Sequence, residues 1–111
     1  MKVYFSASLR GKRLFGDNYQ QIFNTIEKLG YKNVYDFVVS TDPDDFYPQE
    51  PKKQAEIYEQ MVSRIKKADV CVFEVSFHSL GLGYSVNLAL EFDKPVILLH
   101  VEDRKPFLFE G

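Results

Sequence analysis

Asp69-Val70-Cys71-Val72-Phe73-Glu74-Val75 is a nearly continuous apolar run. Such a run suits a strand covered on both faces rather than one half exposed to water, so the flanking sequence should supply helices for both sides. Before it, residues 52–67 carry Ile57, Tyr58, Met61, Val62 and Ile65 at helical spacing. After it, Ser79, Gly81 and Gly83 separate the strand from a helix expected over residues 80–92. Pro95-Val96-Ile97-Leu98-Leu99-His100-Val101 reads as another buried strand.

Further upstream, Val3-Tyr4-Phe5 opens a strand that should end near Ser8. Asp17 or Asn18 can cap a helix bearing Tyr19, Ile22, Phe23, Ile26 and Leu29, and Gly30 stops it. Residues 34–39 look like a second strand, and residues 40–51, acidic and proline-rich, like a loop. Phe107-Leu108-Phe109 would be the stub of a fifth strand. The order β-α-β-α-β-α-β implies right-handed crossovers and an α/β fold: a doubly wound parallel sheet of four to five strands with helices on both faces. In such sheets the ligand sits beyond the carboxyl ends of the strands, here residues 8–13, 40–51, 76–83 and 101–106.

The 111 residues make one domain, spanning 1–111, large enough to bury a core without metal or disulfide staples. The 14 basic and 16 acidic side chains leave a net charge of −2, which argues against a binder of nucleic-acid polymers. One cysteine, Cys71, excludes an internal disulfide and a cysteine-based zinc cluster. His78 and His100 have no metal-ligand spacing, so neither a metal nor a cofactor is expected. MKVYFSAS is too polar for a signal peptide and no stretch is long and apolar enough to span a membrane, so a cytoplasmic location is expected.

Two of the loops suit an anion. Ser8-Leu9-Arg10-Gly11 offers a hydroxyl, a guanidinium and a glycine that lets amides approach a ligand. Ser79-Leu80-Gly81-Leu82-Gly83 leads into a helix whose first amides and dipole favour negative charge. Together they could hold one phosphate. Serine and glycine also cap helices and turn chains at any such junction, so a purely structural reading stands beside this one. The glycine pair is not a dinucleotide fingerprint, since Val86 stands where the third glycine belongs. The cluster Arg10, Lys12, Arg13 reads alternatively as an RNA patch.

Tyr4-Phe5-Ser6-Ala7-Ser8-Leu9-Arg10-Gly11, Tyr58-Glu59-Gln60, the Ala68 to Val75 strand, Ser79-Leu80-Gly81-Leu82-Gly83-Tyr84 and Lys94-Pro95-Val96-Ile97-Leu98 together resemble the nucleoside 2-deoxyribosyltransferase family. The likeness is nearest to that family's 2'-deoxynucleoside 5'-monophosphate N-hydrolases. It implies a Rossmann-like sheet, cleavage of the N-glycosidic bond of a nucleotide, and a homodimer in which a neighbour helps complete the pocket. By position it implies that Ser8, Arg10 and Ser79 hold the 5'-phosphate. Tyr4 would lie at the sugar end, and Gly81 and Gly83 would bring amides close to the ligand. Relatives also continue past the fourth strand, so this chain is expected to be trimmed or truncated at its C-terminal edge.

The resemblance also implies a catalytic pair that this chain lacks. The family's turn continues Gly-Tyr-Glu, the glutamate acting at C1' of the sugar, where a carboxylate suits a developing oxocarbenium ion. Ser85 stands there instead. The helix motif Glu-Gln-Asp becomes Glu59-Gln60-Met61, so the companion aspartate is replaced as well. Glu74, at a strand end, and Glu59, near Met61, are substitute candidates, each with the plainer reading of a solvated charge. Glu91, six residues after Ser85, projects about 240° away from it. Phe77 and Tyr84 could stack on a base, and Phe46 and Tyr47 could form part of a lid. The expected function is therefore nucleotide binding with cleavage weakened or lost. The alternatives are an active enzyme using a displaced carboxylate, and a protein-interaction module with a vestigial pocket.

Overall fold

The computed structural model describes residues 1–46 and 51–101. Strands β1 (Lys2–Ala7), β2 (Lys32–Tyr35), β3 (Val70–Glu74) and β4 (Val96–Leu99) form one parallel sheet in the order β2-β1-β3-β4. Helices α1 (Lys12–Lys28), α2 (Phe37–Ser40), α3 (Pro43–Phe46), α4 (Pro51–Lys67) and α5 (Leu80–Glu91) join them, with a 3-10 turn at Leu9–Gly11.

The alternation of β1 sorts the core into two layers, because successive side chains of a strand point to opposite faces. Val3, Phe5 and Ala7 join Tyr19 and Ile26 of α1 and Val38 of α2. Tyr4, with Cys71 and Phe73 of β3, joins Ile65 of α4 and Leu82, Val86 and Ala89 of α5. Both faces of β3 are thus covered, as its apolar run requires. Burial pushes the Cys71 thiol up to about 11 and leaves it a packing residue.

The helix α1 begins at Lys12 rather than at Asp17 or Asn18. Its apolar stripe starts a turn earlier than expected, with Phe15 packing on the same layer as Tyr19, Ile22 and Phe23, and Gly16 does not interrupt it. Gly30, at φ +88°, ends this segment as expected. β2 stops at Tyr35, and the residues expected to extend it coil into α2. There Val38 turns into the core, Ser40 Oγ donates to Asp36 O, and Lys12 Nζ donates to the carbonyls of Val39 (3.1 Å) and Thr41 (2.6 Å). Tertiary contacts thus override the β propensity of two valines.

β4 is an edge strand rather than a buried one. Val96 and Leu98 pack on the α4/α5 layer, while Ile97 is 49% exposed, because the α1/α2 layer includes no β4 residue. His100 is exposed. The expected strand stub at residues 107–109, the proposed lid contacts of Phe46 and Tyr47, and the loop at residues 102–106 lie outside what the structure describes. No helix among the described residues is long and apolar enough to cross a membrane.

Candidate functional site

The strand order 2-1-3-4 reverses direction between β1 and β3. β1 connects outward to β2, and the chain then crosses back to β3 on the other side. At such a switch point the loops leaving neighbouring strands diverge and open a crevice at their carboxyl ends. The loops after β1 and β3 here bound a cleft of about 970 Å³, closed by α4 and the start of α5. Its size is at the upper end of the range for small-molecule sites, roughly 300–1,000 Å³.

The floor of the cleft comes from the alternation of β1. Tyr4, Ser6 and Ser8 share the face turned toward α4 and α5, so three hydroxyls follow one another along the floor. Tyr4 and Ser8 are buried, and among the described residues neither Tyr4 Oη nor Ser8 Oγ has a hydrogen-bond partner. Burial holds the Tyr4 phenol well above its usual range. The Tyr35 phenol beside it adds to the rise, and the hydroxyls of Ser6 and Ser85 partly offset it. A register irregularity between Val3 and Tyr4 sets Tyr35 opposite Tyr4, where the rings stack at 4.7 Å. The Tyr35 phenol is itself pushed up to about 12, mainly by burial. Ser6 and Tyr35 were not singled out from the sequence, although the period-2 run Tyr4, Ser6, Ser8 carried the signal for Ser6.

The β1 loop is fixed through its backbone. Ser8 O accepts from Gly11 N (3.0 Å) and from the buried Tyr19 Oη (3.1 Å), which fixes Ser8 at the cleft floor. Arg10 also lines the cleft. On the other side, Ser79 caps α5 by accepting from Leu82 N (3.2 Å). Its own hydroxyl hydrogen remains to be donated. The amides of Leu80 and Gly81 precede the first intrahelical bond, Gly83 N to Ser79 O (3.1 Å), and both residues are on the cleft wall. Ser8, Arg10, Ser79 and Gly81 therefore converge. Gly83 does not: it is off the wall, and its amide belongs to the helix.

Gly11 also lies off the wall, and packing accounts for it. A Cβ there would overlap Phe77 Cβ and stand 2.7 Å from Tyr19 Oη. Gly11→Ala should therefore cost about 1–3 kcal/mol by overpacking and push the two cleft loops apart. Chemical denaturation reads the loss, and an unchanged midpoint would show that the loops relax freely. Phe77 reaches the wall from the opposite loop, as does the exposed His78. Tyr84, 47% exposed, shares a 2.6 Å hydroxyl contact with Tyr58 across the rim, and that contact raises its phenol.

Ser85 and Met61 both line the cleft and touch each other. Ser85 Oγ lies 3.0 Å from Met61 Sδ and 3.0 Å from Gly81 O, so its hydrogen is held within the wall. Glu74 and Glu59 are elsewhere. Glu74 is neither solvated nor on the wall: it is fully buried, accepting from Asn18 Nδ2 and Ser76 N. Glu59 is exposed on α4, and Glu91 accepts from Asn87 on the outer side of α5. Among the described residues no Asp or Glu lines the cleft.

No protein-family model matches the chain. Over 108 residues it is 34% identical to a Thermofilum pendens protein that is by name a 2'-deoxynucleoside 5'-phosphate N-hydrolase, covering 94% of this chain and 71% of that one. It is 31% identical over 97 residues to the 5-hydroxymethyl-dUMP N-hydrolase of Rattus norvegicus, covering 87% of this chain and 59% of that one. The solved CMP N-glycosidase of Clostridium botulinum superposes with a TM-score of 0.67 at 15% identity, covering all of this chain and 79% of that one, a likeness of fold. With its sheet order, its cleft at the switch point and this identity over nearly its whole length, the chain belongs to the 2'-deoxynucleoside 5'-phosphate N-hydrolase family.

Proposed function

We propose that the cleft binds a nucleoside 5'-monophosphate, deoxyribosyl by preference of the family, and leaves its N-glycosidic bond weakly cleaved or intact. The observation that carries this reading is the composition of the wall. Ser8, Arg10, Ser79 and the first amides of α5 converge on it, yet no described carboxylate does. The phosphate sits among those donors and the sugar over Ser6, Tyr4 and the Ser85–Met61 pair. Tyr84 flanks the base, while Phe77 lies beside Arg10 at the phosphate end.

Cleavage of the glycosidic bond builds positive charge at C1', which an anion must face within a few ångströms. A serine whose hydrogen is held by Gly81 O and Met61 Sδ offers a neutral dipole and no base to activate it. The buried Glu74 cannot reach the cleft without giving up Asn18 and Ser76. Its role in this reading is to hold the loop after β3.

Thermal melting tests the binding half. A deoxynucleoside 5'-monophosphate at about 100 times its dissociation constant stabilises the native state by roughly 2.7 kcal/mol. Melting temperatures unmoved by any nucleotide would favour an interaction module with a vestigial pocket. The reading includes a homodimer, supported by Leu80, 95% exposed at the cleft rim, and the exposed Leu90 on α5. A monomer in sedimentation velocity would remove that part.

A further inference from the structure

We propose that this site takes nucleotides carrying a second phosphoryl group on the 5'-phosphate, a nucleoside 5'-diphosphate, with Arg13 holding the outer phosphate. The proposal rests on the nucleotide reading above and extends the ligand beyond it. A second, shallower groove of about 570 Å³ adjoins the cleft and is lined by Arg10, Arg13, Pro43 and Phe77. Arg10 and Phe77 line both spaces, so the two meet at the end of the cleft where the monophosphate is placed.

Arg13 is three residues beyond Arg10, one turn on and on the same side of the chain as it enters α1. The first turn of α1 contains no acidic residue. Lys12, between them, is held by the carbonyls of Val39 and Thr41 and does not line the groove. The run Arg10 to Arg13 therefore does not present three cations to a polymer. It presents two guanidiniums along one groove. Arg13 pairs with Asp44, but both side chains are about two-thirds exposed, at 68% and 71%. Such a pair contributes little and exchanges readily, whereas a guanidinium binds phosphate through two parallel charge-assisted bonds. The outer phosphate displaces Asp44 from Arg13. Phe77 lines the groove from the side of the β3 loop and packs close against Gly11.

Calorimetric titration of a deoxynucleoside monophosphate and the matching diphosphate at one ionic strength tests this. The diphosphate is expected to bind about tenfold more tightly. Arg13→Ala should bring the diphosphate down to the monophosphate affinity while leaving the monophosphate within about twofold. Asp44→Asn, which removes the competitor, should strengthen the diphosphate alone. Equal affinities in the wild-type chain, or a diphosphate advantage that survives Arg13→Ala, would overturn the proposal and leave monophosphate binding standing. If neither ligand binds, the nucleotide reading itself fails.

Discussion

The Ser85→Glu, Met61→Asp double variant is expected to release free base from a 2'-deoxynucleoside 5'-monophosphate at least about a thousandfold faster than the wild-type chain. The two side chains already touch across the cleft wall, at 3.0 Å between Ser85 Oγ and Met61 Sδ. A pair of carboxylates at that spacing cannot both ionise easily. Their repulsion raises the proton affinity of one and leaves the other an anion, which is the division of labour that glycosidic cleavage needs. The fold should tolerate the change at some cost in stability, because Ser85 is buried and Met61 only partly so. Chromatographic detection of the base reads the gain. A variant that folds and binds nucleotide but releases no base would show that the site departs from its relatives beyond these two positions.

Arg10→Ala is expected to weaken monophosphate binding by roughly 10- to 100-fold, since it removes a charge-assisted contact from a site whose other donors are neutral. Among the described residues Arg10 and the exposed His78 are the only side chains on the cleft wall able to carry positive charge. Raising the salt concentration should weaken the wild-type interaction and leave the residual binding of the variant nearly unchanged. The check is a titration of each protein at two ionic strengths. Identical affinities in wild type and variant would move the phosphate away from the loop after β1.

Much of this was legible before any coordinates. The run from Asp69 to Val75 announced a strand buried on both faces, and the alternation of short strands with amphipathic segments implied the parallel sheet. Because ligands gather at the carboxyl ends of such strands, Ser8, Arg10 and Ser79 could be brought together on paper, and they line one cleft. The misses have local physical causes. Valines at 38 and 39 favour a strand, yet Val38 fills a gap beneath α1 and the Lys12 ammonium satisfies the carbonyls that α2 leaves open.

Other features depend on contacts between residues far apart in the chain, which no local pattern reveals. Gly11 looked like a residue that lets amides approach a ligand, but it is required because Phe77, 66 positions later, occupies the space of its missing side chain. Glu74 ends an apolar strand and reads as a solvated charge. It is buried, with Asn18 of α1 and the Ser76 amide both donating to it. Ser85 and Met61, on different helices, touch across the cleft wall.

One sample decides the central claim, that the cleft holds a nucleotide it cleaves weakly or not at all. The wild-type chain is titrated with a deoxynucleoside 5'-monophosphate in a calorimeter, and the recovered contents are then incubated for many hours and separated by chromatography. Saturable binding with the nucleotide recovered intact is the expected result. Release of free base complete within minutes, in proportion to protein and abolished by Arg10→Ala, would contradict it.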